Sequence, residues 1–125
     1  MMEVKIPEDV YDVIIVGGGP GGLTAGLYAS RAGMKTLLLE GNVTVSQITI
    51  TDVVENYPGL PDIGGPELIT KLKDHAGSFG MKIKPEQVLS IAAEKIEDIP
   101  GWKVKSNEVE YRALSMIIST GAVWR

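Results

Sequence analysis

Apolar and polar positions along the chain change period from strand to helix and back. Tyr11-Asp12-Val13-Ile14-Ile15-Val16 is β-branched and almost continuously apolar, which predicts a parallel strand buried on both faces. It runs into Gly17-Gly18-Gly19-Pro20-Gly21-Gly22. From Leu23 to Ala32 the pattern becomes helical, with Leu23, Leu27 and Ser30 on one stripe and Gly33 placed to cap the end. Lys35-Thr36-Leu37-Leu38-Leu39-Glu40 reads as a second strand, closing a βαβ unit of about 30 residues.

Between Gly41 and Gly65 no clean period survives. The Thr-rich part, Thr44 to Thr51, predicts a short strand or an ordered loop, and long irregular stretches in compact domains usually carry function. Pro66 opens a second helix, in which Leu68, Ile69, Leu72, Ala76 and Phe79 keep helical spacing until Gly80. Short alternating strands follow at 82–84, 87–92, 102–105 and 108–111, with turns at Ile99-Pro100-Gly101 and Ser106-Asn107. They predict a small antiparallel meander. The last apolar strand covers Ala113 to Ser119 and leads into Thr120-Gly121-Ala122.

Composition narrows the class. At 125 residues, the prior of about one domain per 150 residues predicts a single domain over 1–125. With 44% apolar and 22% charged residues the chain is globular in composition, and few aromatics mean a core of Val, Ile and Leu. A formal charge of −4 gives no electrostatic reason to expect nucleic acid or an anionic membrane as partner. Residues 1–9 lack the apolar core of a signal peptide, and Val13 to Val16 is far too short to span a bilayer. A soluble, cytoplasmic protein is the expectation. The absence of cysteine excludes a disulfide, a thiolate metal site or a catalytic thiol within these residues.

The chemistry concentrates in Gly17-x-Gly19-x-x-Gly22, set between a predicted strand and a predicted helix. In that context the spacing is a dinucleotide-binding fingerprint. Gly17 permits the tight turn, Gly19 lets the backbone approach a pyrophosphate, and Gly22, supported by Gly26, lets helix and strand pack closely. Pro20 and Gly21 complete the loop, and helix amides from about Gly21 to Thr24 point at the phosphates. Glu40 follows Gly17 by 40 − 17 = 23 residues, near the spacing of about 20 at which an acid accepts ribose hydroxyls. An acid there disfavours a 2′-phosphate, so the ligand expected is FAD or NAD rather than NADP. The alternative is a glycine-rich turn that binds nothing.

Tyr11 to Ala25 resembles the FAD-binding start of the thioredoxin reductase family. Glu55-Asn56-Tyr57-Pro58-Gly59 resembles that family's loop motif, Gly64-Gly65-Pro66-Glu67-Leu68 its next helix start, and Ser119-Thr120-Gly121-Ala122 its Ala-Thr-Gly-Ala. The resemblance implies a Rossmann-like α/β FAD-binding fold of three layers: parallel sheet, helices and a small β-meander. It also implies FAD as cofactor and an oxidoreductase that passes electrons from NADPH through flavin to a Cys-x-x-Cys pair and on to thioredoxin. Carried over residue by residue, Gly17, Gly19, Pro20, Gly21 and Gly22 hold the pyrophosphate and Glu40 the adenosine ribose. Gln47 and Asn56 lie toward the ribityl and isoalloxazine part, while Thr120 and Gly121 flank the cofactor.

The sequence departs from the family at Val45-Ser46-Gln47, where Gly-Gly-Gln is usual, so a different loop path is expected. It ends shortly after Gly121, where the family places its pyridine-nucleotide domain with the dithiol. The expectation is therefore the first part of an FAD domain, without turnover of its own and with no catalytic residue to assign. A non-catalytic module for an ADP-containing nucleotide, a structural remnant, and part of a thioredoxin-reductase-type ferredoxin–NADP reductase stay open as alternatives. His75 has no nameable partner and reads as a structural or surface residue, while Glu94, Glu97 and Asp98 show no metal-ligand spacing and read as solvated surface. Trp102 and Trp124 read as covers for sheet or chain-end surface. The strand from Leu114 to Ser119 has no predicted neighbour on its outer side, which predicts an exposed edge and a homodimer or partner chain.

Overall fold

The computed structural model describes residues 6–41 and 52–121. Among these residues six strands and two helices follow in the order β1 (Val10–Val16), α1 (Pro20–Arg31), β2 (Thr36–Leu39), α2 (Gly65–Ser78), β3 (Lys82–Lys84), β4 (Val88–Ile96), β5 (Ile99–Ser106) and β6 (Glu110–Ile118). One hydrogen-bonded sheet joins all the strands in the order β3-β2-β1-β6-β5-β4. Its β3-β2-β1-β6 half is parallel and its β6-β5-β4 half antiparallel.

Strand alternation sorts the parallel half into two cores. Val13, Ile15 and Leu38 face α1 and α2, where they pack with Leu23, Ile69, Ala76 and Met81. Ile14, Leu37 and Leu39 face the other way and meet Val104, Tyr111 and Ala113 of the meander. Three layers result, helices on sheet on meander, with both faces of the parallel strands buried. That arrangement explains why β1 and β2 read as nearly unbroken apolar runs. Each fully buried Ile or Leu contributes about 1.5–3 kcal/mol, so these two short strands anchor the fold.

Helix ends follow their local signals. Pro20 occupies the first turn of α1, and Gly33 closes it at φ +87°. The amide of Met34 donates to the Ala29 carbonyl at 3.1 Å, the wide closing bond of a Schellman motif. Pro66 opens α2 in the same way, and Gly80 follows it at φ +96°.

Three expectations need correction. The segment 82–84 belongs to the parallel sheet, paired with β2, and is not part of the meander. A strand of three residues carries no sign of its direction; the α2 crossover makes it parallel. The β4–β5 turn falls at Glu97 and Asp98, with φ of +49° and +65°, so Pro100 and Gly101 lie inside β5. Left-handed backbone at both central residues is the two-residue turn that matches strand twist. Pro100 is tolerated because it precedes the ladder to β6, which begins at Trp102. Finally, 110–118 is a single strand, although Arg112 breaks its apolar pattern. Arg112 reaches the surface and pairs with Asp9 at 3.0 Å.

The same strand places the expected open flank on one side only, from Leu114 onward among the described residues. β6 is internal, pairing with β1 up to Val16↔Ile118 and with β5 from Glu110 to Ala113. Only its β5-side flank beyond Ala113 has no partner strand among the described residues.

Candidate functional site

Strand register brings the candidate residues together. Val16 is level with Leu39 on one side and with Ile118 on the other, so Gly17, Glu40 and Ser119 all emerge at the carboxyl edge of the parallel strands. Backbone bonds fix them there: Gly17 N–H donates to the Leu39 carbonyl at 3.0 Å and Ser119 N–H to that of Val16 at 2.8 Å. The strand after α2 also holds the second loop, since Glu40 N–H donates to Lys84 and Gly41 N–H to Glu86. In open α/β sheets, ligands bind beyond this edge.

The glycines of the loop divide into two kinds. Gly17 has φ +115°, and a Cβ there would stand 2.6 Å from the Ser119 carbonyl carbon. A Cβ on Gly22 would run into the Gly17 carbonyl and come 2.6 Å from Ser119 Oγ. On Gly26 it would strike the Met81 sulfur. These three are demanded by packing. Gly19 and Gly21, by contrast, face open space, with nothing within 4 Å of a Cβ. Room for a ligand is what their lack of a side chain preserves.

Gly19 is the N-cap of α1, with extended backbone, and no side chain caps the helix. No acidic residue lies in the first turn either. The amides at this end therefore keep free hydrogen-bonding capacity and the positive end of the helix dipole. Glu40 stands beside Gly18, where a Cβ would come 2.6 Å from Glu40 Cβ and 3.2 Å from its Oε2. An anion-favouring helix start and a carboxylate thus flank one loop, the arrangement a nucleotide's phosphates and ribose require.

Ser119 was legible as part of a motif but not as a site residue. Its hydroxyl donates toward the carbonyls of Val16 (3.1 Å) and Gly17 (3.3 Å), fastening the end of β6 to the glycine loop. Thr120 and Gly121 follow, exposed, with Gly121 at φ +70°. Asn56 is exposed on a separate loop, which a two-way bridge between Val54 and Ile63 closes. Within it, Leu60 N–H donates to Tyr57 across Pro58 and Gly59 (φ +83°), a type II turn. Val54 and Ile63 pack on Leu68, anchoring that loop to α2. Gln47 lies outside the described residues, as do Ala122 and Trp124.

Other groups fall away from this edge or serve the fold. His75 is exposed and stacks near Phe79, ring centroids 5.7 Å apart. A cavity of about 420 Å³, lined by Asp9, Tyr11, Lys35, Lys103 and Arg112 among others, opens at the amino ends of the strands. Its cations and acids are mixed, and Asp9, which Arg112 holds below the usual carboxylate range, is already paired. The glycine loop, not this cavity, carries the convergent chemistry. No described helix is long and apolar enough to cross a membrane.

A doubly covered parallel sheet with this loop at its carboxyl edge defines a Rossmann-like α/β fold of the dinucleotide-binding class. The family model for pyridine nucleotide-disulphide oxidoreductases matches residues 11–125, and the chain belongs to that family. It is 40% identical over 118 residues to the thioredoxin reductase of Bacillus subtilis, covering 94% of this chain and 36% of the relative. Among solved structures, a thioredoxin reductase from Gloeobacter violaceus superimposes with a TM-score of 0.85 at 33% identity, covering 95% of this chain and 39% of that one. The thioredoxin reductase of Streptococcus pyogenes MGAS5005 gives 0.83 at 34% identity, with 95% and 38% covered. The chain thus spans little more than a third of the length of the relatives it matches.

Proposed function

We propose that this chain is an FAD-binding segment of a thioredoxin-reductase-like flavoprotein, a single domain over 1–125. The observation that carries the reading is the open face of Gly19 and Gly21 at an uncapped helix start, with Glu40 one loop away. Gly17, Gly19, Pro20, Gly21 and Gly22 receive the pyrophosphate, and Glu40 accepts from the adenosine ribose. Asn56, Gln47, Thr120 and Gly121 are assigned to the flavin side by resemblance to the family.

Bound FAD supplies two-electron redox chemistry. The residues of this chain bind and orient it; with no cysteine among them, the dithiol of a disulfide relay must come from elsewhere. Disulfide reduction by these residues alone is accordingly not expected, and its detection overturns that part of the reading.

The test is a visible spectrum after FAD addition and desalting, with ADP titrated calorimetrically in parallel. Retained flavin absorption supports the full reading. ADP binding without retained flavin reduces it to a nucleotide-binding module, and no binding of either ligand overturns it.

A further inference from the structure

Among the described residues Glu86 is the one buried charged side chain, and it stands just after β3, at the same carboxyl edge as the glycine loop. A buried carboxylate is costly unless its oxygens find donors. Here Oε1 accepts from Ser106 Oγ at 2.6 Å, and both oxygens meet the Tyr111 hydroxyl, at 2.9 and 2.8 Å. Apolar side chains of the same shape would join the two layers about as firmly. What the carboxylate adds is a fixed direction.

The main chain around Glu86 carries that direction to Glu40. Gly41 N–H donates to the Glu86 carbonyl at 3.0 Å, and Glu40 N–H donates to that of Lys84 at 3.1 Å. On the meander side, Gln87 N–H donates to Asn107 Oδ1 at 2.8 Å, and Asn107 N–H donates back to the Gln87 carbonyl at 2.9 Å. The backbone of Glu40 thus hangs from a segment that Ser106, Asn107 and Tyr111 fasten. Its side chain is held less firmly. Lys73 Nζ, on α2, lies 2.7 Å from Glu40 Oε2, but the two side chains are 34% and 23% exposed, and such pairs contribute little. We propose that Glu86 is a positioning residue of the nucleotide site, setting where Glu40 stands beyond the sheet edge and with it the hold on an adenosine ribose. The proposal rests on the nucleotide-binding reading above. Glu86 acts through the Gly41 amide and the adjoining backbone, the kind of supporting contact that separates a tight site from one about 1 Å too loose.

ADP and inorganic pyrophosphate separate the two ends of the site, because only ADP carries a ribose. Calorimetric titration of the full chain should show ADP binding more tightly than pyrophosphate. Glu86→Ala should weaken ADP relative to pyrophosphate by about tenfold, whereas Glu86→Gln, which keeps an acceptor oxygen for the two hydroxyls, should cost about threefold or less. In a Glu40→Ala background, Glu86→Ala should leave the ratio unchanged, since the two residues act as one unit. Should Glu86→Ala not fold, Ser106→Ala removes a single donor and should shift the same ratio by about threefold, again only where Glu40 is present. A purely structural role would lower both affinities together. A ratio unchanged in the folded variant, or one that falls equally without the Glu40 carboxylate, overturns the role of Glu86 and leaves the nucleotide reading standing. Wild type binding ADP no more tightly than pyrophosphate overturns it as well. If wild type binds neither ligand, both fall.

Discussion

Five glycines of the loop look alike in the sequence, yet the structure asks different things of them. Gly22 is pressed between the Gly17 carbonyl and Ser119 Oγ, so Gly22→Ala must push the start of α1 off the strand edge. The expected loss is about 1–3 kcal/mol, read from urea unfolding. Gly21 is helical and faces open space. Gly21→Ala should therefore raise stability by about 0.5–1 kcal/mol through helix propensity, while weakening ADP at least about tenfold by filling the phosphate approach. Equal behaviour of the two variants would contradict the division. The fingerprint and Glu40 were legible because loop, strand and acid lie close in sequence. Lys73 was not, since its contact joins two elements across a long stretch of chain and a surface lysine shows nothing of its partner.

At the level of elements, the meander is locked to the parallel sheet by a buried polar cluster. Glu86, just after β3, accepts from Ser106 Oγ at 2.6 Å, and both its oxygens lie within 2.9 Å of the Tyr111 hydroxyl. Lys84 Nζ also approaches that hydroxyl, at 3.4 Å. Burial, together with the acceptor Glu86, pushes the Tyr111 phenol well above its ordinary value near 10. A proton held more tightly in the folded state contributes stability that is complete below the unfolded value and is lost as pH rises above it. Stability should thus fall above about pH 10, and Tyr111→Phe should flatten that decline. At neutral pH the same variant should cost about 1–3 kcal/mol, because Glu86 loses a buried donor. Urea melts across the alkaline range check both. The sequence marked Ser106-Asn107 as a turn, and Asn107 Oδ1 does accept from Gln87 N–H at 2.8 Å. It could not show that Glu86 would be buried, because burial of an acid depends on donors arriving from two other strands.

For the whole molecule, the open part of β6 sets the expectation about association. Past Ala113 its β5-side flank is unpaired among the described residues, and Ile117 and Ile118 are 37% and 59% exposed. Unpaired backbone beside apolar side chains favours pairing with another chain. Light scattering should show association that grows with concentration, and Ile118→Lys should suppress it while changing stability by no more than about 0.5 kcal/mol. A wild-type chain that stays monomeric at high concentration would end this expectation. The open flank starts where the sequence placed it, because β5 stops pairing with β6 at Ala113.

The sequence by itself determined the βαβ unit, the glycine loop, the acid at the end of the second strand and the membership of the chain in its family. Each of these rests on local spacing: period-two or continuous apolar runs, helix punctuation, and a motif confined to neighbouring residues. Tertiary structure alone decided that β3 joins the parallel sheet, that β6 is shared between the two halves, and that Glu86 and Lys73 acquire partners. Those outcomes depend on contacts between distant segments, whose geometry is set by the crossover through α2 and by how the meander folds back over the sheet.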